Sequence, residues 1–171
     1  PNEQQYTTAR DLGRLARALI IEFPEYADIF SMTSVSVANR QLRTHNGLLR
    51  TFNGADGMKT GFICHSGFNI VVSATRDGRK LVAVVLGEKS TRIRNAHAAQ
   101  LLENGFKRYF WKSLFGTSLN GLPLPADRDD RPVHLGKIIC GPNYGSVSPG
   151  LTPETPMTRL AELPAPLRPL D

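Results

Sequence analysis

The sequence lacks the features that mark several large classes of protein. Its 171 residues include two cysteines, Cys64 and Cys140, too few for a disulfide framework and too isolated for a CxxC zinc site. We therefore expect both side chains to be buried or half-buried thiols. No run of about 18 apolar residues is present, so the sequence predicts no membrane span.

Basic residues are in excess, but they form no block. The net charge is +6 and the isoelectric point is about 9.7. Because the lysines and arginines are scattered, we expect no nucleic-acid partner. A positive surface around an anionic substrate fits the same charge. Apolar residues make up 40% of the chain, as is ordinary for a globular domain with its own core.

The first part of the chain alternates between helical and extended patterns. Residues 8–23 follow helical spacing, with Thr8 as N-cap and Asp11 completing a capping box. Residues 32–37, a short run of β-branched and small residues, suggest a strand. His45 could be catalytic, but a lone histidine in such a segment is more often structural.

A sheet is predicted in the middle of the chain. Strands are expected near residues 58–65, 68–76 and 80–87, and the Asp77-Gly78 turn signals a hairpin between the last two. The last two strands are almost continuously apolar, which predicts that both faces of the sheet are covered. Helical spacing returns at 91–111. Together these patterns indicate an α/β (α+β) fold with an antiparallel sheet covered by helices.

The composition changes after Phe115. Ten of the twelve prolines lie beyond that residue. We therefore divide the chain into a domain at 1–115 and a Pro-rich tail at 116–171, which we interpret as a linker or a loosely ordered extension. Within the tail, residues 133–139 suggest one short strand.

One short motif carries chemistry. Lys59-Thr60-Gly61 lies directly before strand sequence, a context typical of penicillin-binding proteins and serine β-lactamases. By itself the triplet is also compatible with an ordinary solvated lysine at the start of a strand. The sequence around it favours the functional interpretation.

Four blocks resemble the C-terminal half of the D-alanyl-D-alanine carboxypeptidases, the low-molecular-mass penicillin-binding proteins of the serine peptidase class. Together they cover roughly residues 6 to 106, in the order and spacing of that family. The blocks are Tyr6-Thr7-Thr8-Ala9-Arg10-Asp11-Leu12, His45-Asn46-Gly47-Leu48-Leu49, Gly57-Met58-Lys59-Thr60-Gly61-Phe62 with Ser66-Gly67-Phe68-Asn69, and Ala74-Thr75-Arg76-Asp77-Gly78-Arg79-Lys80-Leu81 with Val84-Val85-Leu86-Gly87.

Two motifs of that family are missing ahead of residue 59. The family's nucleophile lies in a Ser-x-x-Lys motif and its second motif is Ser-x-Asn, and both precede the block that begins at Tyr6. Ser36-Val37-Ala38-Asn39, for example, has its asparagine one place too late. The chain also starts without Met and just before a predicted helix. We therefore expect the nucleophile and its lysine upstream of Pro1, and no catalytic side chain here.

The resemblance implies roles for the residues that are present. Lys59 and Thr60 would bind the terminal carboxylate of a peptidoglycan stem peptide ending in D-Ala-D-Ala, or that of a β-lactam. Gly61 would let the substrate lie close to the strand, and the backbone N–H of Phe62 would form half of the oxyanion hole. The resemblance implies no cofactor, no metal and a periplasmic or other extracytoplasmic location, in cell wall biogenesis and cell shape.

Two alternatives remain open. The first is a serine β-lactamase or esterase relative, which shares the Lys59-Thr60-Gly61 triplet. The second is a non-catalytic penicillin- or peptidoglycan-binding remnant, which the missing Ser-x-x-Lys motif favours. The coding sequence upstream of Pro1 discriminates, because an upstream Ser-x-x-Lys and Ser-x-Asn would restore the enzyme.

Overall fold

A computed structural model describes residues 5–115 and 132–141. These residues form helices and strands that alternate along the chain. The helices are α1 (Ala9–Glu22), α2 (Ala27–Ser31), α3 (Leu48–Thr51), α4 (Thr91–Phe115) and α5 (Gly136–Ile139), with a short 3₁₀ turn at Pro24–Tyr26. The strands are β1 (Ser34–Val37), β2 (Arg40–Arg43), β3 (Ala55–Ile63), β4 (Gly67–Arg76) and β5 (Arg79–Glu88).

The main sheet is antiparallel and has the strand order β3-β4-β5. The hairpin predicted from Asp77-Gly78 is confirmed, since both residues adopt positive φ angles, 51° and 71°, between β4 and β5. Consecutive positive φ angles match the right-handed twist of the flanking strands. The predicted mixed α and β class with an antiparallel sheet is therefore confirmed.

One face of the sheet forms the core. Side chains from β4 and β5 interlock there with α3 and with the inner side of α4. The buried members are Leu48, Ile70, Val72, Ala74, Leu81, Ala83, Val85, Ala98 and Leu102. Their alternation along each strand shows the period of two that a sheet requires.

The second face is covered less completely. Helix α1 contacts β5 and β4, and α2 contacts β3. The α1 helix begins as predicted, because the Thr8 hydroxyl accepts a hydrogen bond from the Asp11 N–H at 3.1 Å. Several apolar side chains on α1 and α2 stay exposed, among them Leu15, Ile21 and Ile29. Within the described residues, no helix is both long and apolar enough to cross a membrane.

Residues 32–37 contain the predicted strand, but as half of a hairpin. Strand β1 pairs with β2 through the register Val35 to Leu42, and Ala38-Asn39 makes the turn with positive φ angles. Strand β2 was not expected from the sequence, because Arg40–Arg43 alternates weakly and the turn holds no glycine. All side chains of both strands are exposed.

One prediction for the C-terminal part is wrong. Residues 133–139 contain the helical turn α5 where a strand was expected, because local bonds such as Cys140 N–H to Gly136 O satisfy its backbone. Its Ile139 is buried, whereas residues 132–134 are exposed, and the interpretation of the tail as a linker or a loosely ordered extension stays a prediction. Residues 116–131 and 142–171 lie outside the described residues, and the domain boundary at 115/116 stays a prediction.

The expectation of two thiols is also wrong. Cys64 and Cys140 form a disulfide across a sequence separation of 76 residues. The sequence alone did not reveal this bond, because nothing in the spacing predicts that the segment around Cys140 folds back to the end of β3. The disulfide joins that segment to the strand that carries Lys59.

Candidate functional site

The Lys59-Thr60-Gly61 triplet lies on an edge strand. Within the described residues, β3 pairs with β4 alone, through Lys59 to Val71 and Gly61 to Asn69, so its other edge is open. Lys59 is exposed, and its ammonium donates a hydrogen bond to the backbone oxygen of Thr60 at 2.5 Å. An open strand edge presents unpaired N–H and C=O groups that can pair with an extended chain.

Gly61 leaves the middle of this edge free. A Cβ atom built at Gly61 would meet nothing within 4 Å, so the glycine is not required by packing within the described residues. Its φ angle is not positive either, so the backbone conformation does not demand glycine. The missing side chain instead allows another molecule to approach the strand backbone closely.

The start of β3 is held by Asp56. Its carboxylate accepts hydrogen bonds from the Ser73 hydroxyl at 2.5 Å and from the Thr75 hydroxyl at 2.6 Å. The same carboxylate forms an ion pair with the Lys80 ammonium at 3.0 Å. These partners lie on both other strands of the sheet. Asp56 therefore fixes the beginning of β3 three residues before Lys59.

Asn46 holds the next residue of the strand. Its side-chain N–H donates to the Gly57 carbonyl at 3.0 Å, and its oxygen accepts from the Leu48 N–H at 3.2 Å. Asn46 is almost fully buried. A buried amide that satisfies two backbone groups fixes their relative position, because losing either bond leaves a buried polar atom unpaired.

Arg94 links this network to α4. Its guanidinium donates to the His45 carbonyl at 3.0 Å and to the Asn95 side-chain oxygen at 2.9 Å. Desolvation by burial lowers the pKa of Arg94. His45 contributes its backbone carbonyl to this link, which agrees with the structural interpretation of that residue.

The far end of β3 is held differently. Beyond Ile63, the disulfide attaches Cys64 to Cys140, and the Leu135 N–H donates to the His65 carbonyl at 2.9 Å. Asn69 organises the return into β4: its amide nitrogen donates to the Ser66 hydroxyl, and its oxygen accepts from the Gly87 N–H at 2.9 Å. The open edge of β3 therefore lies between two fixed ends.

This arrangement is suited to binding an anionic, extended ligand. An exposed ammonium, a half-buried hydroxyl and an open backbone edge lie together at Lys59-Thr60-Gly61. Phe62 follows directly, with its ring 4.2 Å from that of Phe68. Among residues 5–115 and 132–141, no group of three or more His, Cys, Asp or Glu side chains could hold a metal ion.

The Lys59-Thr60-Gly61 motif could be identified from the sequence, but the side chains that hold its strand in place could not. Asn46 belongs to one of the four sequence blocks that resemble the family, and Asp56 directly precedes another. No role was predicted for either residue. Asp56 bonds to Ser73, 17 residues away on β4, and Asn46 bonds to Gly57, 11 residues away on β3. Neither contact follows from a local sequence pattern. Arg94 gave no signal, since arginine is usually exposed in helices.

Comparison with known proteins gives one consistent family. The family described as D-alanyl-D-alanine carboxypeptidase matches residues 1–90. DacC of Escherichia coli (strain K12), a D-alanyl-D-alanine carboxypeptidase, is 39% identical over 104 residues, which are 60% of this chain and 26% of DacC. DacA of Haemophilus influenzae, with the same description, is 34% identical over 142 residues, which are 79% of this chain and 35% of DacA.

Solved structures agree with the sequence relatives. Penicillin-binding protein 5 from Haemophilus influenzae matches with a TM-score of 0.59 and 34% identity, over 62% of this chain and 31% of that one. Penicillin-binding protein D2 from Listeria monocytogenes, in its ampicillin-bound form, matches with a TM-score of 0.58 and 29% identity, over 62% and 45%. The chain spans about a quarter to a third of the length of the curated relatives it matches.

Proposed function

Because the chain belongs to the D-alanyl-D-alanine carboxypeptidase family, we propose that it forms the carboxylate-binding edge of a serine-type D-Ala-D-Ala carboxypeptidase. The observation that carries the proposal is the open edge of β3, where Lys59 and Gly61 are exposed on either side of a half-buried Thr60, between two fixed ends. The substrate is a peptidoglycan stem peptide, and β-lactams are its competitors.

Lys59 and Thr60 hold the terminal carboxylate in this proposal. The ammonium and the hydroxyl both donate hydrogen bonds, and a bond to a charged group contributes roughly 1.5–3 kcal/mol. The contact between Lys59 and the Thr60 carbonyl leaves the other two N–H groups of the ammonium available. Gly61 allows the peptide to lie against the strand, and the Phe62 N–H supplies one donor of the oxyanion hole.

The covalent step uses groups that this chain does not carry. A serine attacks the carbonyl of the penultimate D-alanine, and a neighbouring lysine accepts the proton of the serine hydroxyl. The peptide bond then breaks, the terminal D-alanine takes up a proton and leaves, and water hydrolyses the ester of the acyl-enzyme that remains. No Ser-x-x-Lys sequence occurs in the 171 residues. The proposal assigns the nucleophile and its base to a segment encoded upstream of Pro1.

The proposed location is periplasmic or otherwise extracytoplasmic. The disulfide between Cys64 and Cys140 supports it, because such bonds form and persist in oxidising compartments and are rare in the cytosol. The substrate supports it as well, since stem peptides belong to the cell wall. Roles in cell wall biogenesis and cell shape follow from the same assignment.

The proposal is tested by extending the reading frame upstream of Pro1. The extended protein is expected to become covalently labelled by a fluorescent penicillin and to release D-alanine from a D-Ala-D-Ala peptide. The 171-residue chain alone is the control and is expected to show neither. If the chain alone were acylated, a nucleophile within it would have been missed.

A second candidate function is a non-catalytic binding module. The absence of Ser-x-x-Lys from the chain favours it. In that case the reading frame would hold no upstream Ser-x-x-Lys, and the chain would bind peptidoglycan peptides reversibly without releasing D-alanine. An upstream motif together with penicillin labelling would exclude it.

A further inference from the structure

A groove opens where β3 ends, separate from the open edge at Lys59-Thr60-Gly61. It has a volume of about 580 Å³ and is formed by the disulfide and by residues on both sides of it. The lining residues are Cys64, His65, His134, Gly136, Lys137, Cys140 and Gly141. Because Cys64 and His65 directly follow β3, the groove lies at the end of that strand away from Lys59.

The walls of this groove are fixed by several contacts. The disulfide and the hydrogen bond from the Leu135 N–H to the His65 carbonyl tie the C-terminal segment to the end of β3. Ile139 of α5 is buried, with an exposed fraction of 2%. Gly136 packs so closely that a Cβ atom there would lie 2.6 Å from the His65 ring, so only glycine fits without movement. The groove is preformed rather than a gap between loose segments.

The polar groups around the groove favour an anion. Lys137 supplies an exposed ammonium on α5. The rings of His65 and His134 lie edge to face with centroids 5.8 Å apart, and each imidazole can donate a hydrogen bond. No Asp or Glu is among the lining residues. A carboxylate is the ligand group that this set of donors recognises best.

The distance along β3 fixes which part of a substrate reaches the groove. A peptide held by its terminal carboxylate at Lys59 and Thr60 runs toward Ile63, antiparallel to β3. In the proposed function the carbonyl of the penultimate residue lies at the Phe62 N–H, so the penultimate residue lies opposite Phe62. Cys64 is two residues further along, roughly 7 Å at about 3.4 Å per residue. An extended peptide therefore places about its fourth residue from the C terminus beside the groove.

We propose that this groove is an accessory subsite that binds a free carboxylate on about the fourth residue from the substrate's C terminus. His65, His134 and Lys137 provide the donors, and the disulfide holds them in place. The inference rests on the proposed function, since the carboxylate anchor at Lys59 sets the register. It adds a preference for acidic peptides to the recognition of the C-terminal residues.

The experiment titrates the oxidised, isotope-labelled 171-residue chain with two peptides, followed by NMR. Both peptides have five residues and end in D-Ala-D-Ala, and the fourth residue from the C terminus is glutamate in one and glutamine in the other. Both are expected to shift signals of Lys59-Thr60-Gly61. Only the glutamate peptide is expected to shift those of His65, His134 and Lys137, and to bind about two- to fivefold more tightly, as suits an exposed ion pair.

Three variants distinguish binding at the subsite from a general effect of the protein's net charge. Lys137→Ala is expected to bring the two peptide affinities within about twofold of each other, because the ammonium supplies the ion pair. The matched control is Lys107→Ala, an exposed lysine on α4 that does not line the groove, and it is expected to keep the preference. Cys140→Ser, which removes the disulfide, is expected to weaken the preference as well.

The outcomes test the subsite in the groove and the carboxylate anchor at Lys59-Thr60-Gly61 separately. Equal affinities of the two peptides for the unmodified chain, or a preference that survives in Lys137→Ala, would overturn the subsite while leaving the carboxylate anchor intact. Shifts at the groove with the glutamate peptide, but none at Lys59-Thr60-Gly61 with either, would support the groove as a carboxylate site and contradict the proposed anchor. No shift at either place would overturn both.

Discussion

The two halves of β3 differ in how they are held. Its first half, at Ala55–Gly57, is half-buried or buried, and the Asp56 side chain and the Gly57 carbonyl bond to side chains of three other segments. Its second half, at Lys59–Ile63, has an open edge, and Phe62 and Ile63 are 46% and 43% exposed. One half of the strand is fixed, and the other is available for binding.

This division explains how an exposed motif keeps a defined position. The core lies on β4, β5 and α4, and none of its fully buried members is Lys59, Thr60 or Gly61. The motif is paired with β4 along one edge, and its two ends are fixed by Asp56 and Asn46 before it and by the disulfide after it. Changes at the ends should therefore alter stability, and changes at the centre should alter binding.

The first prediction concerns the tether at the far end. Cys140→Ser removes the cross-link between residues 76 apart in sequence and is expected to lower the free energy of unfolding by roughly 2–4 kcal/mol. Chemical denaturation of the oxidised chain measures this. The unmodified chain with reductant serves as control and should match the variant. An unchanged denaturation midpoint would mean that α5 is held by its packing alone.

The second prediction concerns the fixed half. Asp56→Ala removes the carboxylate shared by Ser73, Thr75 and Lys80 and leaves the buried Ser73 hydroxyl without this partner. It is expected to lower the free energy of unfolding by about 2 kcal/mol. Glu22→Ala, at an exposed position that ends α1, is the matched control and should stay within about 0.5 kcal/mol of the unmodified chain. Equal stabilities of the two variants would contradict the role given to Asp56.

The third prediction concerns Gly61, in the middle of the second half of β3. Gly61→Ala is expected to change the free energy of unfolding by no more than about 1 kcal/mol, since its Cβ meets nothing within 4 Å. A peptide or β-lactam that approaches the strand would meet that methyl group, so its binding should weaken. Thermal unfolding and penicillin labelling of the extended protein separate the two effects. Full labelling in a stable Gly61→Ala variant would show that the ligand lies elsewhere.

The sequence predicted the elements better than the contacts between them. Helical and strand periods gave α1, α4 and the β4–β5 hairpin, because these patterns are local and the turn at Asp77-Gly78 has its own signature. The side-chain bonds of Asp56 depend on register across strands, which no local pattern reveals.

The same limit applies to the disulfide. Two isolated cysteines suggested thiols, and the structure joins them because a distant segment folds back onto the end of β3. The Lys59-Thr60-Gly61 triplet could be identified from the sequence because it is contiguous, and its role in binding stays a prediction. The groove at the end of β3 was not predicted, because its residues come from two parts of the chain, around His65 and around His134.

The most direct test of the account is Lys59→Ala in the protein extended upstream of Pro1, with the acylation rate by penicillin and the unfolding midpoint measured together. We expect acylation to slow roughly ten- to a hundredfold, because one charged hydrogen-bond partner is lost. We expect the unfolding midpoint to stay unchanged, since Lys59 is exposed. Thr60→Ala should slow acylation less, because a neutral hydroxyl is the weaker partner. Unchanged acylation in Lys59→Ala would show that this lysine is an ordinary surface residue and that β3 does not hold the substrate's carboxylate.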